Sequence, residues 1–220
     1  MICKMHMYIR LLEKIVSRYG PSKMLSFNTA HVLKTVQLLQ QSQYVSRGKL
    51  SKDLGLGEGS IKTLIKHLKA NNIISTTRAG CYLTSKGKKL CANFLSVIPS
   101  EVFIPTNLIT VGNHNYAVLL RDYAFAVTTG LEQRDAVIRF GGQGATTLLF
   151  RDGKFIMPRT EYDCLKKEPD MRNLLISKLK PQEDDVIIIG SASDKITAEL
   201  GAKSAALFTI ASHEKHAGFN

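Results

Sequence analysis

Ser60, Lys62, Thr63, Lys66 and Lys69 fall on one face of a helical repeat whose other face is Ile61, Leu64, Ile65 and Leu68. Three ammonium groups and two hydroxyls, with no acid among them, are the chemistry of phosphate contact. A helix with one apolar and one Ser/Thr/Lys face can sit in a DNA major groove while packing on its own core. Gly57 and Gly59 open the helix, so its first amides can approach a phosphate closely. Arg78, at the tip of a short hairpin just downstream, can reach the adjacent backbone or minor groove. Any one of these lysines taken alone reads as a solvated position. The set of Ser60, Lys62, Thr63, Lys66, Lys69 and Arg78 is the candidate double-stranded DNA contact.

The charge of the chain is arranged to match. The 220 residues carry a net +12. Residues 1–100 hold 16 Lys and Arg against Glu13, Asp53 and Glu58, and the remaining residues are near neutral. Charge needed for solubility alone has no reason to be confined to one half. The asymmetry points to a basic module for a polyanion joined to a module with another task.

Two loops of the second half are candidates for a small anionic or hydroxylated metabolite. Gly141, Gly142 and Gly144 lie in "GGQGATT", between a predicted helix and strand; no G-K-[ST] follows, so this is not a P-loop. Ser191, Ser193, Asp194 and Lys195 lie in "GSASDK", at a strand end and helix start, where open α/β sheets take ligands. Each has a plainer reading, a glycine helix cap for the first and a Ser/Asp N-cap for the second.

Catalytic patterns are not evident. The histidines are His6, His31, His67, His114, His213 and His216, and no G-x-S-x-G or H-E-x-x-H accompanies them. "HEKH" (His213–His216) reads as part of a polar tail. Cys3 and His6 form a lone C-x-x-H without a second half, so no metal site and no cofactor are expected. Cys3, Cys81, Cys91 and Cys164 are widely spaced, as in a reduced cytoplasmic protein. No apolar run approaches the ~18 residues of a membrane span, and the N-terminus reads as an amphipathic helix and not as a signal peptide.

The elements that must position these residues read as α+β in two domains. Residues 1–98 give a helix over Met5–Tyr19, a "YGPS" break, a helix from Asn28, a short helix ending at Gly55, the Gly57–Asn72 helix, a hairpin over Ile73–Thr84 and a closing helix. That order is a winged helix-turn-helix. A boundary falls in "SVIPSEVFIPTN" (Ser96–Asn107). Residues 105–212 read as a mixed α/β domain. Its strands are at Asn107–Val111, Tyr116–Arg121, Ala145–Phe150, Lys154–Pro158, Asp185–Gly190 and Ala205–Ile210, and its helices at Leu131–Gly141, Pro169–Leu179 and Ser191–Ala202.

"YGPSKMLSFNTAHVLKTVQLLQ", "LSKDLGLGEGSIKTLIKHLKANNII" and "LTSKGKKL" resemble prokaryotic winged-helix transcriptional regulators. More narrowly they are similar to an archaeal group joining such a domain to a C-terminal domain of unknown function. "DAVIRFGGQGATTLLFRDGKFIMP" and "DDVIIIGSASDKITAELGAKSAAL" look like that second domain. The likeness runs from Tyr19 to Leu207. It implies a transcriptional regulator and leaves the effector open.

Three functions are in competition: a DNA-binding regulator whose second domain senses a ligand or mediates assembly, an enzyme acting on a nucleotide or phosphorylated metabolite with a fused winged helix, and an adaptor binding proteins through both halves. The first is the expectation carried forward. It includes a homodimer, with Tyr8, Leu12, Ile15 and Tyr19 either forming the contact or packing on their own domain.

Overall fold

The structure, a computed structural model, describes residues 2–17 and 25–216, without the side chains of 2–4 and 213–216. It divides into two compact units, Met1–Phe94 and Leu95–Asn220.

In the first unit, α1 (Ile2–Ile15) buries Met5, Tyr8, Ile9, Leu12 and Ile15. His67 Nδ1 lies 2.6 Å from the Ile15 carbonyl, and the His67 ring meets Phe27 edge-on. Tyr8, Leu12 and Ile15 therefore pack within their own unit and are not available as a dimer surface; Tyr19 lies outside the described residues. After α2 (Thr29–Gln41), α3 (Arg47–Leu54) starts on Ser46, whose hydroxyl accepts from the Lys49 amide at 3.2 Å. It stops at Gly55, which is left-handed at φ 66°. Gly57 then leads into α4 (Glu58–Ala70), which buries Ile61, Leu64, Ile65 and Leu68. The hairpin pairs β1 (Ile74–Thr77) with β2 (Gly80–Leu83) in antiparallel register. α5 (Ser85–Val97) follows.

One backbone bridge locates that hairpin. The Val45 amide, just before α3, donates to the Cys81 carbonyl at 3.0 Å, and the Cys81 amide donates back to the Val45 carbonyl at 2.9 Å. The approach is close enough that residue 80 has to be glycine. Gly80 has φ 135°, and a Cβ there would lie 2.7 Å from the Val45 carbonyl oxygen.

The second unit is a five-stranded sheet in the order β3 (Glu101–Ile104), β4 (His114–Leu120), β7 (Asp185–Ala192), β5 (Gly144–Arg151), β6 (Lys154–Ile156). Every neighbouring pair is antiparallel. One face packs on α7 (Pro169–Leu179), with Ala117, Leu119, Leu148, Ile187 and Ile189 meeting Met171, Leu175 and Leu179. α6 (Leu131–Arg139) and α8 (Lys195–His216) cover the other face. β7 is buried at all eight positions, as its unbroken apolar run requires. α8 crosses β7 at Gly190, where a Cβ would come within 2.8 Å of the Ala202 amide nitrogen. The hairpin of β5 and β6 closes through Asp152 (φ 49°) and Gly153 (φ 69°), the two positive angles of a type I′ turn.

Two buried polar groups tie this unit together. Asp185 is fully buried and accepts from Arg121 at 2.7 Å and from the amides of Asp122 and Gln182 at 2.9 and 2.8 Å. Burial pushes its carboxyl up, and those three donors pull it back. Lys203, also fully buried, joins α8 to β3 through Glu101 at 2.5 Å and lies 3.5 Å from Glu199. Burial, with Glu101 and Glu199 adding to it, pushes the neighbouring Tyr116 phenol far above its ordinary value.

The structure departs from the sequence-based expectations at four places. The stretch Ser96–Asn107, where the sequence places a boundary, contains β3, and the units divide just upstream of it, between Phe94 and Leu95 inside α5. Asn107–Val111 is a turn, closed by the Thr110 amide on the Asn107 carbonyl, and not a strand. Ala205–Ile210 is not a final strand, because α8 runs unbroken from Lys195 to His216 and takes in "HEKH". The sheet is antiparallel throughout, so the analogy with open α/β sheets that pointed to "GSASDK" does not carry over.

The packing of the first unit makes its stability depend on pH and on one glycine. His31 is buried, and its Nδ1 accepts from the Asn28 amide in the cap of α2. Burial, assisted by Lys34, lowers its pKa to about 4. Well above the ordinary histidine pKa the ring is neutral in both folded and unfolded chains. As pH falls from there to about 4, only the unfolded chain gains the proton, so stability is lost over that window. At about pH 5 the loss should be roughly 2 kcal/mol. Urea titrations read from α2 amide signals near neutral pH and at about pH 5 should show it, and His31→Gln should remove most of the difference. An equal pH dependence in the variant would contradict this. Gly80→Ala should cost about 1–3 kcal/mol, measured as a lowered urea midpoint for the same signals.

Candidate functional site

The first unit gathers its cations around the start of α3, the exposed side of α4 and the hairpin. Lys62, Lys66 and Lys69 are exposed along α4, while Ser60 and Thr63 are half-buried. The Thr63 hydroxyl donates back to the Gly59 carbonyl at 3.0 Å, so in this state it is engaged within the helix. Lys69 Nζ donates to Thr76 Oγ1 of β1 at 3.2 Å, and Arg78 is exposed in the hairpin turn. All six residues singled out in the sequence thus belong to α4 or to the hairpin beside it.

Two grooves run across this surface. One, of about 590 Å³, is lined by Arg47, Gly48, Glu58, Gly59, Ile61 and Lys62. The other, of about 490 Å³, lies between α4 and the hairpin and includes Arg47, Lys69, Thr76 and Arg78. Arg47 lines both, and sequence reasoning missed it. It is the first residue of α3, placed there by the Ser46 cap and brought beside the hairpin by the Val45–Cys81 bridge. Arg47 and Lys69 line this second groove together with Gly80 and Cys81 of β2; burial pushes the Cys81 thiol up, while Arg47 and then Lys69 pull it down. The signal available in the sequence was a cation directly after a helix cap.

The start of α4 is open. Gly57 is extended and gives no side-chain cap, and a Cβ at Gly48, Gly57 or Gly59 would meet nothing within 4 Å. These glycines are not forced by packing, in contrast to Gly80.

In the second unit the two candidate loops do meet. Gly144 pairs with Ser191 across β5 and β7, and the Gln143 amide donates to the Ser191 carbonyl at 2.8 Å. Their polar groups are largely engaged in that meeting. The Gly141 and Gly142 amides donate to the carbonyls of Ile138 and Val137 at 2.9 and 3.0 Å, closing α6 as a helix cap. A Cβ at Gly142 would strike Val137 Cγ1 at 2.5 Å. Ser191 is fully buried, and its hydroxyl donates to Asn115 Oδ1 at 2.6 Å. That hydroxyl is thus engaged within the sheet. Asp194 Oδ1 accepts from the Thr197 amide at 2.9 Å, and hydrogen bonds from Thr197 hold its carboxyl below the usual range. Ser193 and Lys195 are the two exposed side chains of the set besides the capping Asp194. Among the described residues no group of three or more His, Cys, Asp or Glu could hold a metal, and no helix is long and apolar enough to cross a membrane.

Residues 30–89 match a family model described as the PH0730-like N-terminal domain, and residues 111–210 match that of a domain of unknown function, DUF4443. A solved structure, hypothetical protein PH0730 from Pyrococcus horikoshii OT3, superposes with a TM-score of 0.67. The alignment covers 87% of this chain and 95% of that one at 23% identity, so the likeness shows the fold alone. No curated protein matches. Each unit thus matches one family model, the two together share the fold of the Pyrococcus protein, and none of these likenesses names an activity.

Proposed function

We propose that the first unit is a winged helix-turn-helix that binds double-stranded DNA, and that the chain is a transcriptional regulator and not an enzyme. The observation that carries this reading is the convergence of Arg47, Lys62, Lys69 and Arg78 on two adjoining grooves. α4 is the recognition helix, entering the major groove with its open glycine-flanked start toward a phosphate. β1 and β2 are the wing, and Arg78 contacts the neighbouring backbone. The enzymatic reading takes the glycine loop and "GSASDK" as a nucleotide or phosphate site; against it, the Gly141 and Gly142 amides cap α6, the Ser191 hydroxyl donates to Asn115 and Asp194 accepts from the Thr197 amide. That engagement also favours assembly over ligand sensing for the second unit, with a homodimer giving two half-sites.

Lys62→Ala/Lys66→Ala should weaken duplex binding and lower the salt slope by about two, roughly one unit per phosphate contact. Arg47→Ala should lower it by about one. Fluorescence anisotropy with a labelled duplex between low and moderate salt measures both, and the titration's endpoint should show two chains per site. Folding should be unchanged, since these side chains lie outside the core. Unaltered affinity in the double variant would remove α4 from the interface and overturn the reading.

A further inference from the structure

A third groove of the first unit has a different character. It measures about 460 Å³ and is lined by Met7, Tyr8, Arg10, Leu11 and Lys14 of α1 with Lys86 and Lys89 of α5. Met7 is 57% exposed although most apolar residues of α1 are buried, and Leu11 is half-buried beside it. Met7, Arg10, Leu11 and Lys14 stand at i, i+3, i+4 and i+7, a two-turn stripe about 10 Å long. Its floor is apolar and its rims are cationic.

We propose that this groove docks an acidic amphipathic helix of a partner protein. Apolar anchors spaced i, i+4 and i+7 would cover Met7 and Leu11, the exchange that drives helix-in-groove recognition, and methionine adapts to such a partner. Carboxylates flanking those anchors would face Lys14 and Lys89, while Lys86, which donates to the Asn71 carbonyl at 3.0 Å, and Arg10 add to the positive field of the rims. The rims argue against a second copy, because a two-fold contact would set four cations against four with Glu13 as the only acid of α1. The segment 18–24 brings Arg18 and Lys23 and no acid, so its charge does not suit the groove either. DNA would gain nothing from the apolar floor.

The test uses the full chain and a labelled helical peptide with leucines at i, i+4 and i+7 flanked by glutamates. A scrambled peptide of the same composition is the control. Anisotropy should show the amphipathic peptide binding at least about tenfold more tightly than the scrambled one. Met7→Glu, at an exposed position, should weaken it by about tenfold or more. Lys14→Glu/Lys89→Glu should reverse the preference toward a peptide with lysines in place of the glutamates, which a misfolded variant could not do. Lys62→Ala/Lys66→Ala should leave peptide binding unchanged. Equal binding of the scrambled peptide, or equal weakening by the Lys62/Lys66 variant, would show mere attraction to a basic surface and overturn the proposal. So would competition by duplex DNA for the groove, or a dimer in sedimentation that Met7→Glu dissolves. Those outcomes would leave DNA binding through α4 standing.

Discussion

The pair of backbone hydrogen bonds between Val45 and Cys81 fixes the surface of the first unit. A two-stranded hairpin is marginal on its own. Here it is held at the entrance to α3, at a distance only glycine at position 80 permits. From that one attachment the rest follows. Arg47 begins α3 beside β2, Lys69 reaches across from α4 to Thr76, and Arg78 is carried at the turn. Charges far apart along the sequence thereby become one surface, and the field of several neighbouring cations exceeds that of any one.

β7 has the corresponding place in the second unit. It is the last strand in the sequence and the central one in the sheet, paired to β4 over Val186–Ala192 and to β5 over Asp185–Ser191. Because it is buried on both faces, its polar residues must find partners inside: Asp185 takes Arg121 and two amides, and Ser191 takes Asn115. The same demand draws the glycine loop onto Ser191 and α8 onto Gly190. Strand pairing thus takes up Ser191 and Gly144, while Ser193, Asp194 and Lys195 stay exposed just beyond the strand.

Local chemistry made much of this legible. Asn28, Ser46 and Gly55 mark helix ends that the structure reproduces, and "RDG" marks a hairpin turn, because caps and turns depend on residues a few positions apart. Ala205–Ile210 misled because a short apolar run does not distinguish strand from buried helix. Ala198, Ala202, Ala205 and Ala206 supply the small faces that let α8 lie on the sheet, and that requirement comes from the close crossing at Gly190. β3 was hidden by its four-residue length and by Pro99 and Pro105 on either side. Arg47 stood outside the α4 pattern, and only the Val45–Cys81 bridge makes it a neighbour of the hairpin. Ser191 is polar in sequence but buried by strand pairing.

The face of α4 and the hairpin stands or falls as the duplex DNA contact on one titration. Backbone NMR of the full chain with a short duplex tests it most directly. Shift changes are expected to concentrate at Arg47, Gly57–Lys69 and Thr76–Gly80, with Gly141–Gly144 and Gly190–Lys195 undisturbed. Changes centred on those loops of the second unit, with α4 silent, would contradict DNA binding through the first.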